Sequence, residues 1–131
     1  MKFYRCKKCP NIVIKLSVGR CTPACCGELM DELQPNTVDA AVEKHIPVIV
    51  EENGEKYVVV GSVEHPMSEE HYIEWVVMEY ENRYDIVKFN PGDAPKAKIT
   101  NGEPKNVYAY CNLHGLWAQK QDSLPVFLIT N

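Results

Sequence analysis

Four histidines are present in the 131-residue chain, each beside what reads as a strand end. They are His45 in Glu-Lys-His-Ile-Pro, His65 in Val-Glu-His-Pro-Met, His71 in Glu-Glu-His-Tyr-Ile, and His114 in the step Cys111-Asn112-Leu113-His114. Singly, His65 or His71 reads as a surface or hydrogen-bonding residue, and Cys111 as a small buried hydrophobe. Together they are a ligand set. Neutral imidazoles suit iron, copper, nickel and zinc, and a thiolate adds electron density. Four imidazoles and one thiolate make five ligands, one more than a closed zinc site takes. That number suits a redox-active iron with a sixth position open to a small ligand. Fe²⁺ in this set carries a single positive charge, and Lys44 beside His45 adds another, so the open position attracts a small anion.

A second ligand set lies near the N-terminus. Cys6-Lys7-Lys8-Cys9 has the spacing of a metal knuckle, and Cys25-Cys26 follows after fifteen residues. Four thiolates make a tetrahedral zinc or iron site. Consecutive side chains on a strand point to opposite faces, so Cys25 and Cys26 reach one metal only through a sharp bend, which Pro23 and Gly27 flank. A disulfide or inert buried thiols are the alternative, less favoured by the knuckle spacing and a cytosolic setting.

These ligands need a scaffold. Residues 1–26 hold five of the six cysteines and no histidine, and residues 45–114 hold every histidine and Cys111. The polar stretch 27–44 reads as a linker with one helical turn at 38–43. Beyond it, runs rich in Val, Ile, Tyr and Trp predict strands at 46–51, 56–63, 72–80, 84–89, 97–100, 105–110, 116–120 and 126–130. Asn53-Gly54 and Asn101-Gly102 read as hairpin turns. Ile73, Trp75 and Val77 alternate against Glu74, as one buried and one wetter face require. Many short strands with turn signals predict an all-β sandwich. If each connection reverses direction, strand parity alone delivers His45, His65, His71, Cys111 and His114 to one end.

Hydrophobic content is 45% and net charge −4, as in a soluble globular protein. Residues 1–35 carry +3 and the remainder −7. The basic head does not by itself indicate nucleic acid, because its cations balance thiolate charge near Cys6 and Cys9. The first apolar run, residues 12–18, is short and interrupted by Lys15, so no secretory signal is read. No segment approaches a membrane span. The expected compartment is the cytoplasm.

The strings Glu43-Lys44-His45-Ile46-Pro47, His65-Pro66, Glu70-His71-Tyr72-Ile73-Glu74-Trp75 and Cys111-Asn112-Leu113-His114-Gly115-Leu116-Trp117 resemble the motifs of superoxide reductases. The head, with Cys26-Gly27-Glu28-Leu29-Met30, is similar to the desulforedoxin-like domain of desulfoferrodoxins, the two-iron members of that family. The resemblance implies a desulforedoxin-like domain with linker at 1–36 and an immunoglobulin-like antiparallel sandwich at 37–131. It implies equatorial His45, His65, His71 and His114 and axial Cys111 on iron. Cys6, Cys9, Cys25 and Cys26 would hold a second iron or zinc. The implied reaction is one-electron reduction of superoxide to hydrogen peroxide, without dioxygen release. Lys44 would attract superoxide and orient a protonating water, and Glu43 would become a sixth ligand after product leaves. A rubredoxin-like electron donor and a homodimer are implied as well. Cys21 departs from the pattern: it is either a spare thiol or a competitor of Cys25 or Cys26 as a ligand. Two other functions fit parts of the chain: an electron carrier using the head alone, and a zinc-stabilised interaction module.

Overall fold

The computed structural model describes residues 1–38, 40–61, 65–119 and 126–129, with the side chains of Glu43 and of residues 126–129 outside the description. The chain divides into two units, Met1–Gln34 and Pro35–Asn131. Both are built from strands, which the β-branched and aromatic runs predict for the second unit.

In the first unit β1 (Lys2–Arg5) lies between β2 (Ile12–Lys15) and β5 (Asp31–Glu32) in an antiparallel sheet. β3 (Ala24–Cys25) and β4 (Glu28–Leu29) form a separate hairpin. Its two turn residues, Cys26 and Gly27, have φ of 54° and 78°, the left-handed pair of a tight hairpin turn. This is the sharp bend that the adjacent cysteines demand. The core is small: Tyr4, Cys6 and Met30, with Cys9 and Cys25 packed against it. The stretch 27–44 is therefore not linker throughout. Its first part supplies β4 and β5, whose two-residue lengths leave no periodicity to read.

The second unit begins with one helical turn, α1 (Val42–His45), a few residues later than expected. Pro47 disfavours helical geometry at Ile46, which is extended (φ −68°, ψ 122°), so the turn stops immediately after His45. The strands are β6 (Pro47–Glu52), β7 (Glu55–Val60), β8 (Ile73–Glu79), β9 (Tyr84–Lys88), β10 (Lys96–Lys98), β11 (Asn106–Cys111), β12 (Gly115–Ala118) and β13 (Val126–Ile129). They form two four-stranded sheets, β10-β7-β6-β13 and β12-β11-β8-β9. Val58 and Val60 of β7 pack in one core with Ile73, Val76 and Met78 of β8 and Val107 and Ala109 of β11. Fully burying each such side chain contributes about 1.5–3 kcal/mol, so this unit has a core of its own. The ends of the expected strands at Ser62, Val63, Lys120 and Thr130 fall outside the described residues, as does Asp39 of the expected linker.

Three expectations change. Asn53-Gly54 does close the β6–β7 hairpin, with φ of 54° and 79°. Asn101-Gly102 also has positive φ, but β10 and β11 lie in different sheets, so it turns the chain between sheets. The dipeptide specifies a local reversal, and pairing is decided by which apolar face each strand can bury. In β8 the alternation slips. Tyr110 pairs with Trp75 while Cys111 pairs with Ile73, which leaves Glu74 as a bulge residue. The core face is thus Ile73, Val76 and Met78, and Trp75 stacks on Tyr110 instead. Last, β13 pairs with β6 in parallel, the one parallel pair among the described strands.

Candidate metal centres

Through β11 the strand directions alternate as parity requires: β6/β7, β8/β9, β7/β10 and β8/β11 are all antiparallel. His45 ends α1, His65 and His71 lie between β7 and β8, and Cys111 and His114 frame the turn between β11 and β12. All five side chains meet. The four imidazole rings stand at the corners of a square in the order His45, His65, His71, His114. Neighbouring centroids are 4.7, 4.7, 5.0 and 4.9 Å apart, and the His45–His71 diagonal is 6.4 Å. Adjacent rings are nearly perpendicular, at 77–87°. The ligand atoms of His45, His71, Cys111 and His114 lie within 4.8 Å of one another. His65 is outside that group of four, yet its Nε2 is 3.1 Å from His45 Nε2.

The ring tautomers follow from partners that can only accept. His45 Nδ1–H donates to the Ala41 carbonyl at 2.6 Å, and His65 Nδ1–H to the Pro66 carbonyl at 2.6 Å. Both Nε2 atoms are then bare lone pairs facing each other at 3.1 Å. His45 Nε2 is also 3.1 Å from His114 Nδ1. Lone pairs this close repel unless they share a cation. Two nitrogens bound at about 2.1 Å and at right angles stand roughly 3.0 Å apart. His71 Nε2 is buried with no hydrogen-bond partner among the described residues. The donor set fits a metal ion.

Electrostatics agree. Burial pushes His65 down to about 4, with the neighbouring His45 adding to the effect. Burial also lowers His45 and His71, and the Lys44 charge lowers both further. These three imidazoles are therefore neutral and able to ligate at neutral pH. Burial raises the Cys111 thiol, partly offset by N–H donors from Leu113 and His114. Cys111 thus stays a thiol until a cation draws the proton off. Lys44 is exposed and lines a hollow of about 470 Å³ with His65, Met67 and Asp93. Glu43 lies in α1, but its side chain is outside the described residues.

Sequence reasoning missed the supports. Trp117 stacks on His45 at 4.8 Å, and its indole N–H donates to the His114 carbonyl at 3.0 Å. Asn112, between two ligands in the Cys-x-x-His step, binds the segment that carries His71. That position was the available signal.

In the first unit the Sγ atoms of Cys6, Cys9, Cys25 and Cys26 lie within 4.8 Å of one another, and none is in a disulfide. Cys9–Cys25 is 3.6 Å and Cys25–Cys26 3.9 Å. Four sulfurs about 2.3 Å from a tetrahedral centre would be roughly 3.8 Å apart, so this set also fits a metal. The Lys8 and Cys9 N–H groups each donate to Cys6 Sγ at 3.4 Å and pull that thiol down to about 6. Cys26 is pushed up to about 12, chiefly by its interactions with Cys9 and Cys6. On Cys25 the Asn11 amide acts downward, but Cys6 and Cys9 together raise it. Cys21 is exposed and is not one of the four clustered sulfurs. Among the described residues no helix is long and apolar enough to cross a membrane.

Residues 37–120 match the family model for desulfoferrodoxin. A desulfoferrodoxin homolog from Archaeoglobus fulgidus is 44% identical over 118 residues, 89% of this chain and 94% of that one. The desulfoferrodoxin of Syntrophotalea carbinolica is 44% identical over 122 residues, covering 92% and 96%. Among solved structures, the superoxide reductase from Treponema pallidum superposes with a TM-score of 0.72 at 32% identity, over 92% of this chain and all of that one.

Proposed function

The chain belongs to the desulfoferrodoxin family, and from that premise we propose that it is a superoxide reductase. It would bind iron through His45, His65, His71, His114 and Cys111. Each superoxide takes up one electron and two protons to become hydrogen peroxide, and no dioxygen is released. The observation that carries the reading is the square of four imidazoles beside a buried thiol. It offers five donors, beyond what a closed zinc site uses. Bound there, iron supplies a one-electron ferrous–ferric couple and an open position for a small anion.

The chain's own residues do the rest. The Ala41 and Pro66 carbonyls hold His45 and His65 in the tautomer that aims Nε2 inward. Leu113 and His114 N–H groups favour the Cys111 thiolate. Lys44 attracts superoxide and orients the water that delivers a proton, and its charge already reaches His45 and His71. Glu43 would supply a carboxylate ligand to the metal. Cys6, Cys9, Cys25 and Cys26 hold a second iron or zinc. A rubredoxin-like carrier supplies electrons to a cytoplasmic homodimer whose units divide near residue 36.

The test is anaerobic rapid mixing of the ferrous protein with superoxide. The expected result is iron oxidation with peroxide formed and no matching dioxygen. Dioxygen released in proportion to superoxide consumed would replace reduction with dismutation. A colourless, iron-free protein from an iron-replete host would return the zinc-module reading.

A further inference from the structure

The His71 ring is held differently from those of His45 and His65. His45 and His65 are each oriented by their own Nδ1–H bond to a carbonyl. Among the described residues no such bond orients His71, and its buried Nε2 has no hydrogen-bond partner. Its position is set through the backbone on either side. On one side Ser68 N–H donates to the His71 carbonyl at 3.0 Å, and His71 N–H is 3.2 Å from both the Ser68 carbonyl and its Oγ. On the other side is Asn112.

Asn112 makes three bonds to that segment. Its N–H donates to the Tyr72 carbonyl at 3.2 Å. Its side-chain oxygen accepts the Tyr72 N–H at 2.9 Å, and its side-chain NH₂ donates to the Glu70 carbonyl at 3.0 Å. One amide thus uses both ends on backbone groups that flank His71. The β8–β11 ladder ends at Ile73–Cys111 after the Glu74 bulge, and Asn112 continues the connection where strand pairing stops.

We propose that Asn112 is a positioning residue that sets the His71 imidazole against the Cys111 and His114 donors. This rests on the metal-centre reading and deepens it. Cys111 and His114 flank Asn112 in one turn, and His71 lies between its two side-chain contacts, Glu70 and Tyr72. Loss of the amide lets two sides of the ligand set move independently. Partners that orient metal ligands are worth about 10–100-fold in metal affinity.

The test is Co²⁺ titration of the metal-free full-length chain, read by visible absorption. The His/Cys site and the four-thiolate head give different spectra, so the head is an internal control. Asn112→Ala is expected to weaken Co²⁺ at the His/Cys site about 10–100-fold. It should also shift that site's bands and leave the head's affinity unchanged. Asn112→Asp keeps the acceptor for Tyr72 N–H and loses the donor to Glu70, so an intermediate loss is expected. Wild-type affinity and bands in Asn112→Ala overturn the proposal. If that variant does not fold, Asn112→Asp decides, and unchanged binding there overturns it equally. Failure of wild-type Co²⁺ to enter the His/Cys site at all would strike the metal-centre reading instead.

Discussion

The two ligand sets of this chain are built in opposite ways. In the head the ligands are part of the core itself: Cys6 is clustered with Tyr4 and Met30, and Cys9 and Cys25 pack on it. In the sandwich the ligands belong to a larger fold, and Cys111 is one member of an extensive apolar core. Val58, Val76, Val77, Met78, Val107 and Ala109 are fully buried, and none of them is a ligand. The head gathers its donors from hairpin turns over a short stretch. The sandwich collects His45 and His114 from opposite ends of its sequence and brings their nitrogens to 3.1 Å. A large core can hold neutral, mutually repelling lone pairs at metal-binding distance, whereas a minimal core needs the ion to hold it together.

The sharpest way to break this comparison is to remove one ligand from each side. Cys111→Ser should abolish superoxide turnover in stopped-flow mixing while far-UV circular dichroism stays native, whereas Cys9→Ser should leave turnover in place. Equal loss from both would mean that the two centres do not divide the work. Chelation comes next. Structural metals contribute on the order of 10 kcal/mol to small domains. Stripping metal should therefore unprotect the amides of Tyr4 and Cys6 in hydrogen exchange while Val76 and Val107 stay protected.

Charge at the sandwich site should matter less. Lys44→Ala is expected to slow the second-order reaction with superoxide about tenfold and flatten its salt dependence, because steering by one focused charge is of this order. Lys44→Arg should retain most of the rate. Acid should then distinguish the metal-free units. His65 falls to about 4 in the folded chain, against roughly 6.5 when unfolded. Between those values the unfolded state binds more protons, so the sandwich loses stability as pH falls from about 6.5 towards 4. The midpoint of thermal unfolding should drop by several degrees across that window. A flat profile there would mean that the imidazoles are not buried neutral. The smallest effect is expected at Cys21→Ser, within about 0.5 kcal/mol and with both metal spectra unchanged. A change in the head's spectrum would bring Cys21 into its ligand set.

Much of the site was legible because its signal is chemical and local. Histidine and cysteine are few, and turn residues such as Asn53-Gly54 mark reversals wherever they fall. Strand parity then placed five donors at one end, and it survived two errors. Asn101-Gly102 turns between sheets rather than within a hairpin, which leaves the direction of β11 unchanged. The parallel pairing of β13 comes after the last ligand. What stayed hidden was relational. The slip at Glu74 appears only when β8 meets β11. Ala41 and Pro66 matter through carbonyls that every residue has, and the head strands β3, β4 and β5 are too short to carry a period.

By itself, then, the amino-acid sequence determined which donors exist, how many there are and which end of the sandwich receives them. Residue type sets ligand chemistry, and the reversal of strand direction sets parity. Only the tertiary structure decided which nitrogen of each ring faces inward, how the four rings are arranged, and that Asn112 ties His71 to Cys111 and His114. Those depend on distances of a few ångströms between groups far apart in the chain, and packing alone sets such distances.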